Sequence, residues 1–87
     1  MAIVHVVREN VRGCSTVAFD EHALQRMQER GVSEDEVLDV LRNPTQTGLP
    51  TTANRLRLRK HLGAGSYLDV VFEEDPTQIV VITVIRG

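Results

Sequence analysis

His22, Arg26 and Arg30 recur at four-residue steps, so one short helix would carry an imidazole and two guanidiniums on a single face. That set reads as a phosphate site, because an imidazole can move a proton and arginine forks match phosphate oxygens. A second basic group follows later, with Arg55, Arg57, Arg59 and Lys60 falling within six positions. Arginine alternates with leucine there, and a strand would gather the arginines on one face and the leucines on the other. The same residues also suit plain surface. Arg26 and Arg30 can pair with Glu29 or with carboxylates of a neighbouring helix, and a charged edge strand resists sheet-to-sheet association.

Both groups need elements to hold them. The β-branched segment Ile3-Val4-His5-Val6-Val7 reads as a strand, with 15–18 pairing to it across Gly13. Asp20 then offers a side-chain oxygen to free amides, and a first helix runs to about Arg30, where Gly31 ends it. Ala23, Leu24 and Met27 form its apolar stripe. Ser33-Glu34-Asp35-Glu36 spells a capping box, so a second helix follows with Val37, Leu38 and Leu41 inward, and Asn43-Pro44 stops it. Residues 44–53 read as a loop, long for a small domain. Three strands then follow at 55–59, 67–73 and 78–85, the turns falling at Gly63-Ala64-Gly65 and Asp75-Pro76. The last is apolar on both faces, as expected of a central strand or one covered by another subunit. The expected fold is α+β: a two-helix hairpin packed on a three- to four-stranded antiparallel sheet, in a single domain spanning 1–87.

Composition narrows the function. A chain of 87 residues with a formal charge of −2 does not coat nucleic acid through bulk electrostatics. Its local basic patch suits one or a few phosphates instead. The single cysteine, Cys14, excludes an internal disulfide, and with three scattered histidines makes no zinc pattern. Cys14 reads as a small buried hydrophobe. No apolar run approaches membrane-spanning length and no signal-peptide pattern opens the chain, so a cytoplasmic protein without membrane association is expected, or a toxin exported without a conventional signal.

The succession His22-Ala23, Arg26, Arg30-Gly31-Val32-Ser33, Val37, Leu41, Asn43-Pro44 and a closing Val81-Ile82-Thr83-Val84 resembles the bacterial family of domain of unknown function 4258, over about 19–85. That family is similar to the RelE-like and colicin-like ribonucleases, and BrnT toxins share its layout. The resemblance implies a RelE-like fold and a toxin-like endoribonuclease needing neither metal nor cofactor, in which a ribose 2′-hydroxyl attacks the adjacent phosphate. In that scheme His22 at the helix start is the general base, Arg26 and Arg30 clamp a phosphate, and Arg57 stabilises the transition-state charge. Arg55, Arg59 and Lys60 guide the RNA backbone, Tyr67 stacks a base, and Thr83 hydrogen-bonds the phosphate. Expected partners are transfer RNA or ribosome-held RNA, an antitoxin or immunity protein, and a second copy of the chain. The competing expectation is a non-catalytic RelE-like module that binds a protein or RNA through its basic sheet face. Geometry separates them, since catalysis requires His22, Arg26 and Arg57 to converge on one phosphate.

Overall fold

Asp20 closes one element and opens the next. In the computed structural model, which describes residues 3–87, it is the last residue of strand β2 (Thr16–Asp20) and the N-cap of helix α1 (Glu21–Arg30). Its carboxylate accepts a hydrogen bond from the Ala23 amide at 2.7 Å, satisfying a donor that the helix cannot pair internally. Gly31, in the left-handed conformation at φ 62°, ends the helix. Ser33 then caps α2 (Glu34–Arg42). The Glu36 amide donates to Ser33 Oγ and the Ser33 amide to Glu36 Oε1, which is the reciprocal box the sequence spells.

Strand β1 (Ile3–Val7) pairs antiparallel with β2, and β3 (Leu56–Gly63), β4 (Ser66–Glu74) and β5 (Gln78–Arg86) form an antiparallel meander. The expectation of three to four antiparallel strands is corrected in both number and direction. β2 lies beside β5 in parallel, giving a five-stranded mixed sheet in the order β1-β2-β5-β4-β3. The reason is visible in β5, which is apolar on both faces and gains a neighbour along each edge as the central strand. The chain between β2 and β5 contains both helices and two strands, ample length for a parallel crossover.

Both helices pack on one side of this sheet, α1 over β5 and β2, α2 over β4 and β3. Their Ala23, Met27, Val37, Leu38, Val40 and Leu41 share one buried cluster with Leu58, Leu68, Val70, Phe72, Ile79, Val81 and Val84 of the strands. A bulge keeps the pattern in step. Val71 pairs with Thr83 and Phe72 with Val81, so Ile82 is the extra residue, and Val81 and Val84 both reach the core across an odd spacing. Leu56, expected inward, is 42% exposed at the start of the outermost strand.

Candidate functional site

Alternation along β3 and β4 decides where the arginines point. Leu58 and Lys60 share the helix-covered side, where Leu58 is buried and Lys60 bonds Asp39 of α2. Arg57 and Arg59 therefore occupy the opposite, uncovered side. Leu68 and Val70 are core residues, so Asp69 between them also faces that side. Asp69 is nevertheless fully buried, because arginines close over it. Arg59 Nε donates to Oδ1 at 2.7 Å and Nη2 to Oδ2 at 3.0 Å, while Arg57 Nε donates to Oδ2 at 2.8 Å.

Burial pushes the Asp69 carboxyl up, but the hydrogen bonds and charges of Arg59 and Arg57 outweigh it and hold the group below its ordinary value of 3.8. Arg59 is held more firmly protonated in return, first by its hydrogen bonds to Asp69. Its guanidinium lies 3.9 Å from the centre of the Tyr67 ring, a cation–π contact. Tyr67 and Gly87 exchange backbone hydrogen bonds, and a side chain at Gly87 would run into the ring. Arg55 reaches Glu73 at 3.4 Å, and Arg12 reaches Glu74 at 2.9 Å. Arg12 and Glu74 lie on the Phe72 side, so on the open side three guanidiniums stand against two carboxylates, which leaves a weak surplus of positive charge.

Val71 pairs with both Arg57 and Thr83 across the sheet, and Asp69 with both Arg59 and Ile85. The uncovered face therefore unites Arg57, Arg59, Tyr67 and Thr83, with Arg55 adjoining. His22, Arg26 and Arg30 lie elsewhere, on α1 in the helical layer, where Ala23 and Met27 take the buried positions. Arg26 donates to Glu29 at 2.8 Å on its own helix, and His22 and Arg30 are exposed. Lys60, turned towards α2, belongs to neither group. The two expected halves of a catalytic centre stand on opposite sides of one sheet.

Reasoning on the sequence passed over Asp69, although the turn at Gly63-Ala64-Gly65 carried a signal for it. Pairing outward from Ala64 sets Arg59 opposite Asp69. It also passed over Arg12, whose position beside Gly13 in the β1–β2 turn gave no hint of its reach to Glu74 and to within 5.3 Å of the Phe72 ring centre. Cys14 is buried as expected, and burial, then the nearby Glu74 and Asp75 charges, push its thiol up. Among the described residues no group of three or more His, Cys, Asp or Glu could hold a metal ion. No described helix is long and apolar enough to cross a membrane.

These features define a two-layer α+β domain with helices on one side of a mixed sheet and an arginine-bearing open face on the other. Residues 19–86 match the family described as Domain of unknown function (DUF4258), and the chain belongs to that family. No curated protein and no solved structure matches it.

Proposed function

We propose that this domain is a non-catalytic, RelE-like interaction module that binds a protein partner through its open sheet face, the partner offering an acidic, extended segment of the kind an antitoxin or immunity protein would supply. One observation carries the reading: Arg57 and Arg59 are fixed on buried Asp69, across the sheet from His22 and Arg26. A proton acceptor on the far layer does not serve a phosphate held by Arg57. The composition of the open face supports the same reading. Prealigned arginines and Tyr67 border the apolar side chains of Val71 and Ile85, an anatomy common at protein interfaces. Tyr67 is engaged by Arg59, which disfavours base stacking.

Ribonuclease activity remains the second reading, favoured by one observation: Arg57, Arg59, Tyr67 and Thr83 do share a face. One experiment separates the two. The purified protein is incubated with total and transfer RNA in EDTA, and its amide resonances are followed during titration with a short RNA and with a peptide alternating glutamate and valine. The module reading expects intact RNA and saturable peptide shifts centred on Asp69, Val71 and Thr83. Discrete cleavage leaving cyclic-phosphate ends, abolished by Arg57→Ala, would overturn it in favour of the nuclease.

A further inference from the structure

The loop after α2 returns to the outer edge of β3 and pairs with it once. The Gln46 amide donates to the Arg59 carbonyl and the Arg59 amide to the Gln46 carbonyl, each at 3.0 Å, a reciprocal antiparallel pair of the kind that joins neighbouring strands. Arg59 therefore turns both backbone groups outward, away from β4. The pairing of β3 with β4 is regular from Leu56 to His61, so Arg57, two residues along, turns its amide and carbonyl outward as well. Extending the Gln46 pairing would set Gly48 opposite Arg57. Gly48 instead adopts φ 70°, a left-handed conformation that takes the chain off the edge. Among the described residues, no loop amide or carbonyl bonds those of Arg57.

The gap so left is a cavity of about 330 Å³ between Thr47, Gly48 and Leu49 of the loop and Leu56, Arg57 and Leu58 of β3. The Arg57 guanidinium is on the other side of the strand with Asp69, so what Arg57 offers here is its backbone. On either side of it the edge is already taken, Arg59 by Gln46 and the Arg55 amide by the Thr52 carbonyl at 3.3 Å. One donor and one acceptor in the plane of the sheet match the carbonyl and amide of a single extended residue. The volume lies at the small end of ligand pockets, so only a short stretch of chain enters. The residue opposite Arg57 would share its side of the sheet, and the residues before and after it would point to the helix-covered side, towards Leu56 and Leu58. Leu56, 42% exposed, leaves apolar surface uncovered at that place.

We propose that the partner's extended segment is held at the β3 edge as an added strand, one residue exchanging backbone hydrogen bonds with Arg57 and its two neighbours seating aliphatic side chains against Leu56 and Leu58. The inference rests on the reading that the partner offers an acidic, extended segment, and it gives that segment a pattern: aliphatic, acidic, aliphatic. The acidic residue stands opposite Arg57, on the side where three guanidiniums face two carboxylates. Backbone pairing supplies affinity and the alternate side chains supply selectivity.

The test follows amide resonances of the intact protein during titration with the peptide acetyl-Ser-Val-Glu-Val-Ser-amide. Saturable shifts at Gly48, Leu56, Arg57 and Leu58 are expected, with a Kd on the order of 1 mM for a ligand this small. The Arg57 amide should also exchange its hydrogen more slowly in the bound state. Replacing the glutamate nitrogen by an ester oxygen removes the donor aimed at Arg57 without adding bulk, and should weaken binding roughly tenfold. The same replacement at the first valine, whose amide points away from β3, should change it by less than about twofold. Leu56→Ala should weaken binding several-fold through the lost apolar contact. Equal weakening by the two esters, or shifts confined to Asp69, Val71 and Thr83 and indifferent to Leu56→Ala, would overturn edge pairing and leave binding on the open face standing. Absence of saturation with this peptide would overturn edge pairing too, and its absence with the longer glutamate–valine peptide as well would take the open-face reading with it.

Discussion

The two faces of this sheet solve the same problem by different means. On the covered face, Phe72, Leu68, Val70, Ile79, Val81 and Val84 meet the apolar stripes of α1 and α2, and water is excluded by packing. On the open face no helix arrives, yet Asp69 and Val71 are still buried, Asp69 completely and Val71 to 6% exposure. Arginine side chains do the covering there, closing over Asp69 and bringing their charge with them. The contrast teaches where function can reside. The core side chains of the packed face are committed to one another, whereas the ion-paired face keeps charged groups in fixed positions and within reach of solvent.

Breaking the covered face should cost most. Phe72→Ala would leave a cavity beneath α2, and about 3–4 kcal/mol of stability should be lost. That is a large share of what a domain of this size possesses. A urea titration of the variant would show it. A loss below about 1 kcal/mol would mean that the helices do not seal this face as described.

On the open face the largest effect should come from Asp69→Asn. Two arginines would lose their shared anion, and about 2–3 kcal/mol should be lost, less than for a pair buried on both sides because the guanidiniums retain contact with water. The pH dependence has a definite sign. Asp69 in the folded state lies below 3.8, as do Asp39, mainly through its hydrogen bond from Lys60, and Asp75, mainly through the Thr77 and Gln78 amides. A depressed folded value contributes stability that is complete above the unfolded value and is lost as pH falls through the folded one. The wild type should thus weaken progressively below about pH 4, and Asp69→Asn should show a shallower decline. Equal slopes for the two proteins would remove Asp69 from the acid response.

The difference between the faces also explains what could be read from the chain. Caps are local, so Asp20, Gly31 and the Ser33/Glu36 box announced both helices, and alternation announced β3 and β4. The place of β2 beside β5 depends on a contact between segments some sixty residues apart, which no local pattern encodes. The double apolar character of β5 carried half of that message, since it called for neighbours on both edges. For the site, alternation put Arg57 and Arg59 on the uncovered side, and Tyr67 with them, but Thr83 joins that side through the register of β4 with β5. It did not fix how α1 rotates about its own axis relative to that side. Helical spacing places His22, Arg26 and Arg30 on one surface of α1; only packing of Ala23 and Met27 onto the sheet decides that this surface faces away from the arginine strand.

A gentler variant sharpens the dependence of the open face on hairpin register. Ala64 sits at φ 52° between Gly63 and Gly65, a region where its Cβ is unwelcome. Ala64→Gly should stabilise the domain by about 0.5–1 kcal/mol, the relief of strain exceeding the added freedom of the unfolded chain. Thermal unfolding would report the gain, and unchanged amide shifts at Asp69 would show that the Arg59–Asp69 register persists. A destabilised variant would mean that Ala64 makes contacts the turn needs.

His22→Ala should have the smallest effect. The side chain is exposed on the helical layer, and replacing it should change stability by less than about 0.5 kcal/mol. Its value lies in what it separates. With the open face acting alone, the variant should bind the acidic peptide as the wild type does, while Arg57→Ala should bind it several-fold more weakly. If His22→Ala instead abolished RNA cleavage that Arg57→Ala also abolished, one substrate would be engaging both sides of the sheet. A single phosphate does not span those sides, so the strand would have to pass around the β1 or β3 edge, or the histidine would have to come from a second copy of the chain. Mixing the two inactive variants distinguishes these routes: recovery of activity requires two chains, and its absence confines both residues to one.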